Sequence, residues 1–350
     1  MSTPPEVLFD RYFRGLNSAE DRKLYRGKKD LDSLSDPVLR LWLSKIQGWF
    51  NESLNQEQDI PDHVEHPPFH PDYIDDSGVP NAIAFRSDGY SFIGITMTLI
   101  STLWEVCIRL SRSDTIVALI GVGQPLEECG PVHVLLSQIQ HRFIVAHEYT
   151  HHVHGHLSPE GTGSAFFNEI VNGEKGKIEE QTFEYAADAY AVVQVLNNLI
   201  DCNWRQQAVM LLNLDTQSTN IQDQALFSCF VVAIGGYLFS RPPDVVDSSN
   251  IHKLEHPPQA ARMDHIMRQA VKWSKASHPG LTAHITPDRF QSLMNAVGAA
   301  TSEMNGGKDW SVQTAFLQSD AGCAYLKKLD ESVQTFIQSL GSSSDRQQNS

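Results

Sequence analysis

One pentapeptide, His147-Glu148-Tyr149-Thr150-His151, constrains this chain more than any other stretch. Two imidazoles four residues apart share a face on a helix, and the flanks predict one. Pro131 suits the first turn of that helix and Gly155 its end. The preceding turn, Phe143-Ile144-Val145-Ala146, is apolar, so this part of the helix is expected to be buried. Buried imidazoles and carboxylates need partners, and a metal ion supplies them. Zn²⁺ accepts neutral imidazole and tolerates an open position for water. Glu148, next to the first histidine, can point towards that water and serve as the general base of a hydrolase.

A third ligand is expected on a following element. The pattern predicts a helix over 178–200 that carries Phe183-Glu184-Tyr185-Ala186-Ala187-Asp188-Ala189-Tyr190. Glu184 and Asp188 are one turn apart, so one can bind the ion while the other accepts the free ring N–H of a histidine ligand. Glu179 and Glu180 compete for the same role, since Glu180 lies one turn before Glu184. The small residues Ala186, Ala187 and Ala189 allow close packing on a neighbouring helix. Two other metal patterns fail on spacing. A metzincin needs Gly and a third His where this chain has His154 and Leu157. A carboxylate di-iron site needs a second Glu-x-x-His beside Glu148–His151.

His147-Glu-x-x-His151 followed by Glu184-x-x-x-Asp188 resembles the gluzincin zinc metallopeptidases. Three further stretches are similar to the branch holding the CAAX-prenyl and heat-shock-type membrane proteases and their soluble relatives. Pro80-Asn81-Ala82-Ile83-Ala84-Phe85, with Gly89 and Ile93-Gly94-Ile95, is similar to the Asn-Ala-Phe-Ala segment before the zinc helix. Glu184-Tyr-Ala-Ala-Asp188 is similar to that branch's Glu-x-x-Ala-Asp, and His256-Pro257-Pro258 with Arg262 to its late His-Pro motif. The run His151-x-x-x-Gly155-His156 also resembles peptidases that cleave phage repressors and phage-exclusion peptidases. The chain lacks the four spans of the membrane branch, so a prenyl-protein substrate is not carried over.

The resemblance covers about residues 79–270 and implies an α+β, mostly helical zincin-like catalytic domain with a small edge-strand sheet. It makes His147, His151 and Glu184 the ligands of one zinc ion per chain, Glu148 the base, and Asp188 the residue that orients a ligand histidine. The strand carrying Asn81, Ala82 and Ala84 would form the edge on which an extended substrate adds as a further strand. His256 would stabilise the oxyanion or close the site, and Arg262 would form a buried ion pair. The activity implied is a zinc metalloendopeptidase acting on a protein or peptide. The alternative is a zinc-binding sensor or partner-binding protein whose peptidase site is latent or highly substrate-specific.

Around this core the expected organisation is a helical region at 1–55, a Pro- and His-rich linker at 56–78 and the peptidase domain at 79–275. A helical region at 276–340 and a disordered tail at 341–350 follow. Within the peptidase domain a hairpin around Gly89, a strand at 115–121 and a long loop at 158–177 are expected. His63, His66 and His70 read as solvated linker residues; His152, His154 and His156 read as surface groups or supports for the ligands. Tyr149, Tyr185 and Tyr190 are candidate oxyanion donors that packing explains equally well. A formal charge of −15 disfavours nucleic acid and anionic membrane surfaces as partners. The five scattered cysteines and an N-terminus without a signal pattern fit a cytoplasmic protein. The uncharged stretches 89–104 and 224–240 read as buried core, since each is at the minimum length for a membrane span.

Overall fold

The computed structural model describes residues 3–54, 67–122, 130–154, 156–157, 177–202, 204–254, 256–308 and 310–347. Among these the chain is mostly helical with one small mixed sheet, an α+β arrangement. It divides into two compact units, 1–102 with 148–172 and 103–147 with 173–350.

The first unit opens with α1 (Pro5–Arg14), α2 (Ala19–Leu24), β1 (Tyr25–Lys28) and α3 (Pro37–Ser53). Then come β2 (Phe69–Asp76), β3 (Ala82–Ser87) and β4 (Tyr90–Thr96). The four strands lie in the order β1-β2-β4-β3, with β2 and β4 parallel and the outer pairs antiparallel. Ser87 pairs with Tyr90, so Asp88 and Gly89 alone make the β3–β4 turn, both at positive φ (49° and 78°). That is the backbone a tight hairpin requires, and Gly adopts it without steric cost. Phe9 and Phe13 of α1 are fully buried and meet the rings of Phe85 and Phe92 on one face of the sheet.

Two expectations are corrected in this unit. The N-terminal region is not helical throughout, because β1 joins the sheet. The Pro- and His-rich stretch is not a linker over 69–76, because it forms β2, with Pro71 inside the strand. His70, expected in solvent, is buried, and so is Asp72. Asp72 is held by Lys28 at 2.5 Å, Gln47 at 2.8 Å, His70 at 3.1 Å and the Tyr73 N–H at 2.8 Å. Those partners are what make a buried carboxylate tolerable in a strand. Residues 56–66, including His63 and His66, lie outside the described residues.

The helix α4 (Met97–Ser111) follows β4 directly, and after it come α5 (Asp114–Ile120), α6 (Pro131–Val153) and α7 (Lys177–Leu196), which ends in a wider turn at Asn197–Asp201. Next are α8 (Trp204–Leu211), α9 (Thr219–Leu238) and α10 (Gln259–Ser277). The chain closes with α11 (Pro279–Thr282), α12 (Pro287–Thr301), α13 (Ser311–Leu317) and α14 (Asp320–Gln347). The expected strand at 115–121 is the helix α5. A short β-branched run fits either element by length; here Ser113 caps the N-terminus by accepting from the Ile116 N–H, and Gly121 ends the helix at φ 89°. The tail is helical as far as Gln347, with 348–350 outside the described residues. Gly155 and residues 158–176 of the expected loop 158–177 also lie outside them, and Lys177 begins α7.

In the second unit α9 is the central element. Among the described residues it is the one helix long and apolar enough to cross a membrane, and most of it is buried inside the fold. A Cβ at Gly236 would stand 2.6 Å from Leu110, so glycine permits close approach there. Gln140 of α6 donates to the Ala233 carbonyl at 2.9 Å and accepts from Cys107 Sγ at 3.0 Å, tying α6 to its neighbours in the core. The stretch 89–104 is split between β4 and α4. Residues 276–347 belong to this same unit, and α14 packs on α7.

Candidate metal centre

Helix α6 carries His147 and His151 one turn apart, both buried at 6% and 2% exposure. Glu184 of α7 is buried at 4%. One ligand atom from each of the three lies within 4.8 Å of the others, so this group can hold a metal ion. It is the one such group among the described residues. Two imidazole nitrogens and a carboxylate oxygen suit a borderline divalent ion and leave a position open.

The ligand atoms can be told apart by what the other atoms do. His147 turns Nε2 to Glu184 Oε2, at 3.3 Å, and Nδ1 to Asp188 Oδ1, at 2.9 Å. Asp188 is itself fully buried and gripped by Arg262, whose Nε and Nη2 donate at 2.8 and 2.7 Å. This fork-to-carboxylate pair fixes the carboxylate plane, and with it the His147 ring. Glu184 Oε2 also stands 2.9 Å from Nδ1 of His256, which is about a third exposed. His151 places Nδ1 2.9 Å from Nδ1 of His156. A ring that gives Nε2 to a metal keeps its proton on Nδ1, so His151 would donate to His156.

Glu148 is half-buried on the turn between the two histidines. His152 is buried and sets Nε2 2.9 Å from the Phe92 carbonyl, while the Arg86 side chain donates to the His152 carbonyl at 3.2 Å. Its role is to seat the end of α6 on the sheet of its own unit, helped by the Phe69–Tyr149 ring contact. Tyr149 and Tyr185 are buried, the latter donating to the Ala261 carbonyl at 2.9 Å, and Tyr190 accepts from Gln194 at 3.0 Å. Ala82 and Ala84 lie on β3, at the edge of the sheet. Asn81 precedes that strand and is bonded to Thr96, its N–H donating to Oγ1 at 2.8 Å. Glu179 and Glu180, the competing carboxylates, are not in the metal group.

Sequence reasoning read His156 only as one of three surface or supporting histidines and did not single it out as the partner of His151, and it missed Gln181 and Tyr325. A contact made five residues on from a ligand, just past the helix end, leaves no periodic signal to find.

Burial alone would keep the His147 ring neutral, but Glu184 and Asp188 outweigh it and raise its pKa to about 9. A metal needs the Nε2 lone pair, so uptake must displace that proton. Metal binding at pH 7 is therefore expected to release about one proton. Apparent affinity should rise with pH, up to about tenfold per unit below about 9. Titration calorimetry in buffers of different ionisation enthalpy measures the proton count; a count of zero at pH 7 would contradict the assignment.

Neither a protein-family model, nor a curated protein, nor a solved structure matches the chain. Its chemistry therefore has to be read from these residues.

Proposed function

We propose that this protein is a zinc-dependent endopeptidase of gluzincin type, with His147, His151 and Glu184 as the ligands and Glu148 as the general base. The observation that carries the reading is the buried His147–His151–Glu184 group with a carboxylate on the residue next to its first histidine. Two back-side contacts support it, Asp188 on His147 and His156 on His151. A site that only needed to hold an ion would have no use for Glu148.

When bound, zinc supplies Lewis acidity, which polarises a carbonyl and makes water acidic near neutral pH. The chain's own groups do the rest. Glu148 takes the proton from the attacking water and passes it to the leaving amine. Asp188, held by Arg262, keeps the His147 proton on Nδ1. His256, partly exposed beside Glu184, would meet the charge that develops on the substrate oxygen. The edge strand β3 offers backbone groups with which an extended peptide can pair.

His151→Ala is expected to lose the metal, because two remaining ligands bind zinc weakly. Elemental analysis of dialysed protein reads this directly, and a full zinc complement in the variant would remove His151 from the site. Activity is tested by mass spectrometry of new peptide termini in a lysate treated with zinc-loaded protein. New termini with the wild type alone would support an endopeptidase. Their absence, with one zinc per chain, would favour a protein that binds its partner without cutting it.

A further inference from the structure

The segment that delivers His256 to Glu184 has its own anchorage. Residues 247–250 form a self-capped turn, in which Asp247 Oδ1 accepts from the Ser249 and Asn250 N–H groups at 2.7 and 3.1 Å. A short helical turn at Ile251–Lys253 follows. Its outgoing carbonyls do not continue into a helix, so they need donors from elsewhere.

Gln181 provides them. It is fully buried on α7, one turn before Glu184. Its Nε2 donates to the Ile251 carbonyl at 3.1 Å and to the Leu254 carbonyl at 2.6 Å. Its Oε1 accepts from the Tyr325 hydroxyl of α14 at 2.8 Å. Both amide hydrogens and the amide oxygen are thus in use, which fixes the orientation of the group. Around it Tyr185, Ile251, Ala261, Leu317, Tyr325, Leu329 and Val333 form a separate apolar cluster. A leucine at 181 would fill that cluster without a desolvation cost; the amide costs energy to bury and returns a fixed geometry.

We propose that Gln181 and Tyr325 are positioning residues for His256: through them the C-terminal helix α14 holds Ile251 and Leu254 so that His256 stays against Glu184. The proposal rests on the reading of Glu184 as a metal ligand. It gives the C-terminal flank a part in the metal centre although none of its described side chains belongs to the metal group.

The test uses the full-length protein with two variants. Tyr325→Phe removes one hydroxyl and keeps the ring in its cluster; Gln181→Met keeps the volume and removes all three bonds. Hydrogen exchange of 250–257 in metal-free protein is expected to rise about fivefold in Tyr325→Phe, the loss of one buried hydrogen bond. It should rise further in Gln181→Met, while exchange in α9 stays unchanged. Zinc affinity, read by competition with a chromophoric chelator, should fall by a similar factor in Tyr325→Phe. The double variant Tyr325→Phe/His256→Ala should bind zinc no more weakly than His256→Ala alone, because Tyr325 acts through His256.

Unchanged exchange at 250–257 in Tyr325→Phe would overturn the proposal, and so would zinc losses that multiply in the double variant. A wild type that takes up no zinc would defeat the reading of the centre. The exchange result on metal-free protein would still decide whether Gln181 and Tyr325 position the segment.

Discussion

Glu148→Gln is expected to keep one zinc ion per chain and to lose turnover by about 10²–10⁴-fold, the usual contribution of a general base. The amide has the size and shape of the carboxylate, so the half-buried turn between His147 and His151 can keep its packing. The ligand set does not include residue 148, so metal content should stay at the wild-type value. An amide cannot accept a proton from water near neutral pH, so chemistry fails while binding persists. The readouts are metal stoichiometry and the cleavage rate on a substrate found by terminal-peptide analysis. Equal turnover would end the assignment of Glu148 as base. Loss of zinc together with activity would instead make Glu148 part of the site's structure.

The second large effect is on stability. Arg262→Met is expected to destabilise the protein by about 3 kcal/mol, because it leaves a buried carboxylate without its main partner. Asp188 Oδ2 receives Arg262 Nε, and Oδ1 is shared between Arg262 Nη2 and His147 Nδ1. His147 remains in the variant, which keeps the loss at the lower end of what breaking a buried pair costs. Burial alone would raise the Asp188 pKa, but the charge and hydrogen bonds of Arg262, joined by His147, lower it to about 2. A depressed carboxyl contributes stability that is complete above its ordinary value of 3.8 and is lost as pH falls through about 2. Without Arg262 the carboxyl protonates at higher pH, so acid unfolding should begin at higher pH as well. Urea denaturation of wild type and Arg262→Met at pH 7 and pH 4 measures both effects. A difference within about 0.5 kcal/mol at pH 7 would show that the pair is not what holds Asp188 in place.

What the sequence revealed of the site follows from where its information is local. His147 and His151, and likewise Glu184 and Asp188, are one helical turn apart, so their shared faces could be read from spacing alone. The hairpin at Asp88-Gly89 was legible for the same reason. By contrast β2 is a strand through its pairing with β1 and β4, and its buried Asp72 is tolerated there because Lys28 and Gln47 meet it. Nothing within His70-Pro71-Asp72 announces those partners. The helix α5 was read as a strand because its apolar run suits both elements, and the deciding signals, Ser113 and Gly121, sit at its two ends. Gln181 and Tyr325 escaped notice because each looks like an ordinary helical residue until a distant segment supplies the other half of the bond.

The make-up of the first unit has a consequence for synthesis. Its sheet is complete at Thr96, yet Tyr149, which packs on Phe69, and His152, which meets the Phe92 carbonyl, belong to α6. The ribosome must make the whole of 103–147 before those residues exist. At about 5–20 residues per second the finished strands wait several seconds for their cover. During that interval the nascent chain presents an unfinished sheet next to newly made apolar helices. It should therefore be a client for a holding chaperone at that stage of translation, and a chain truncated at residue 102 should aggregate where the full-length protein does not.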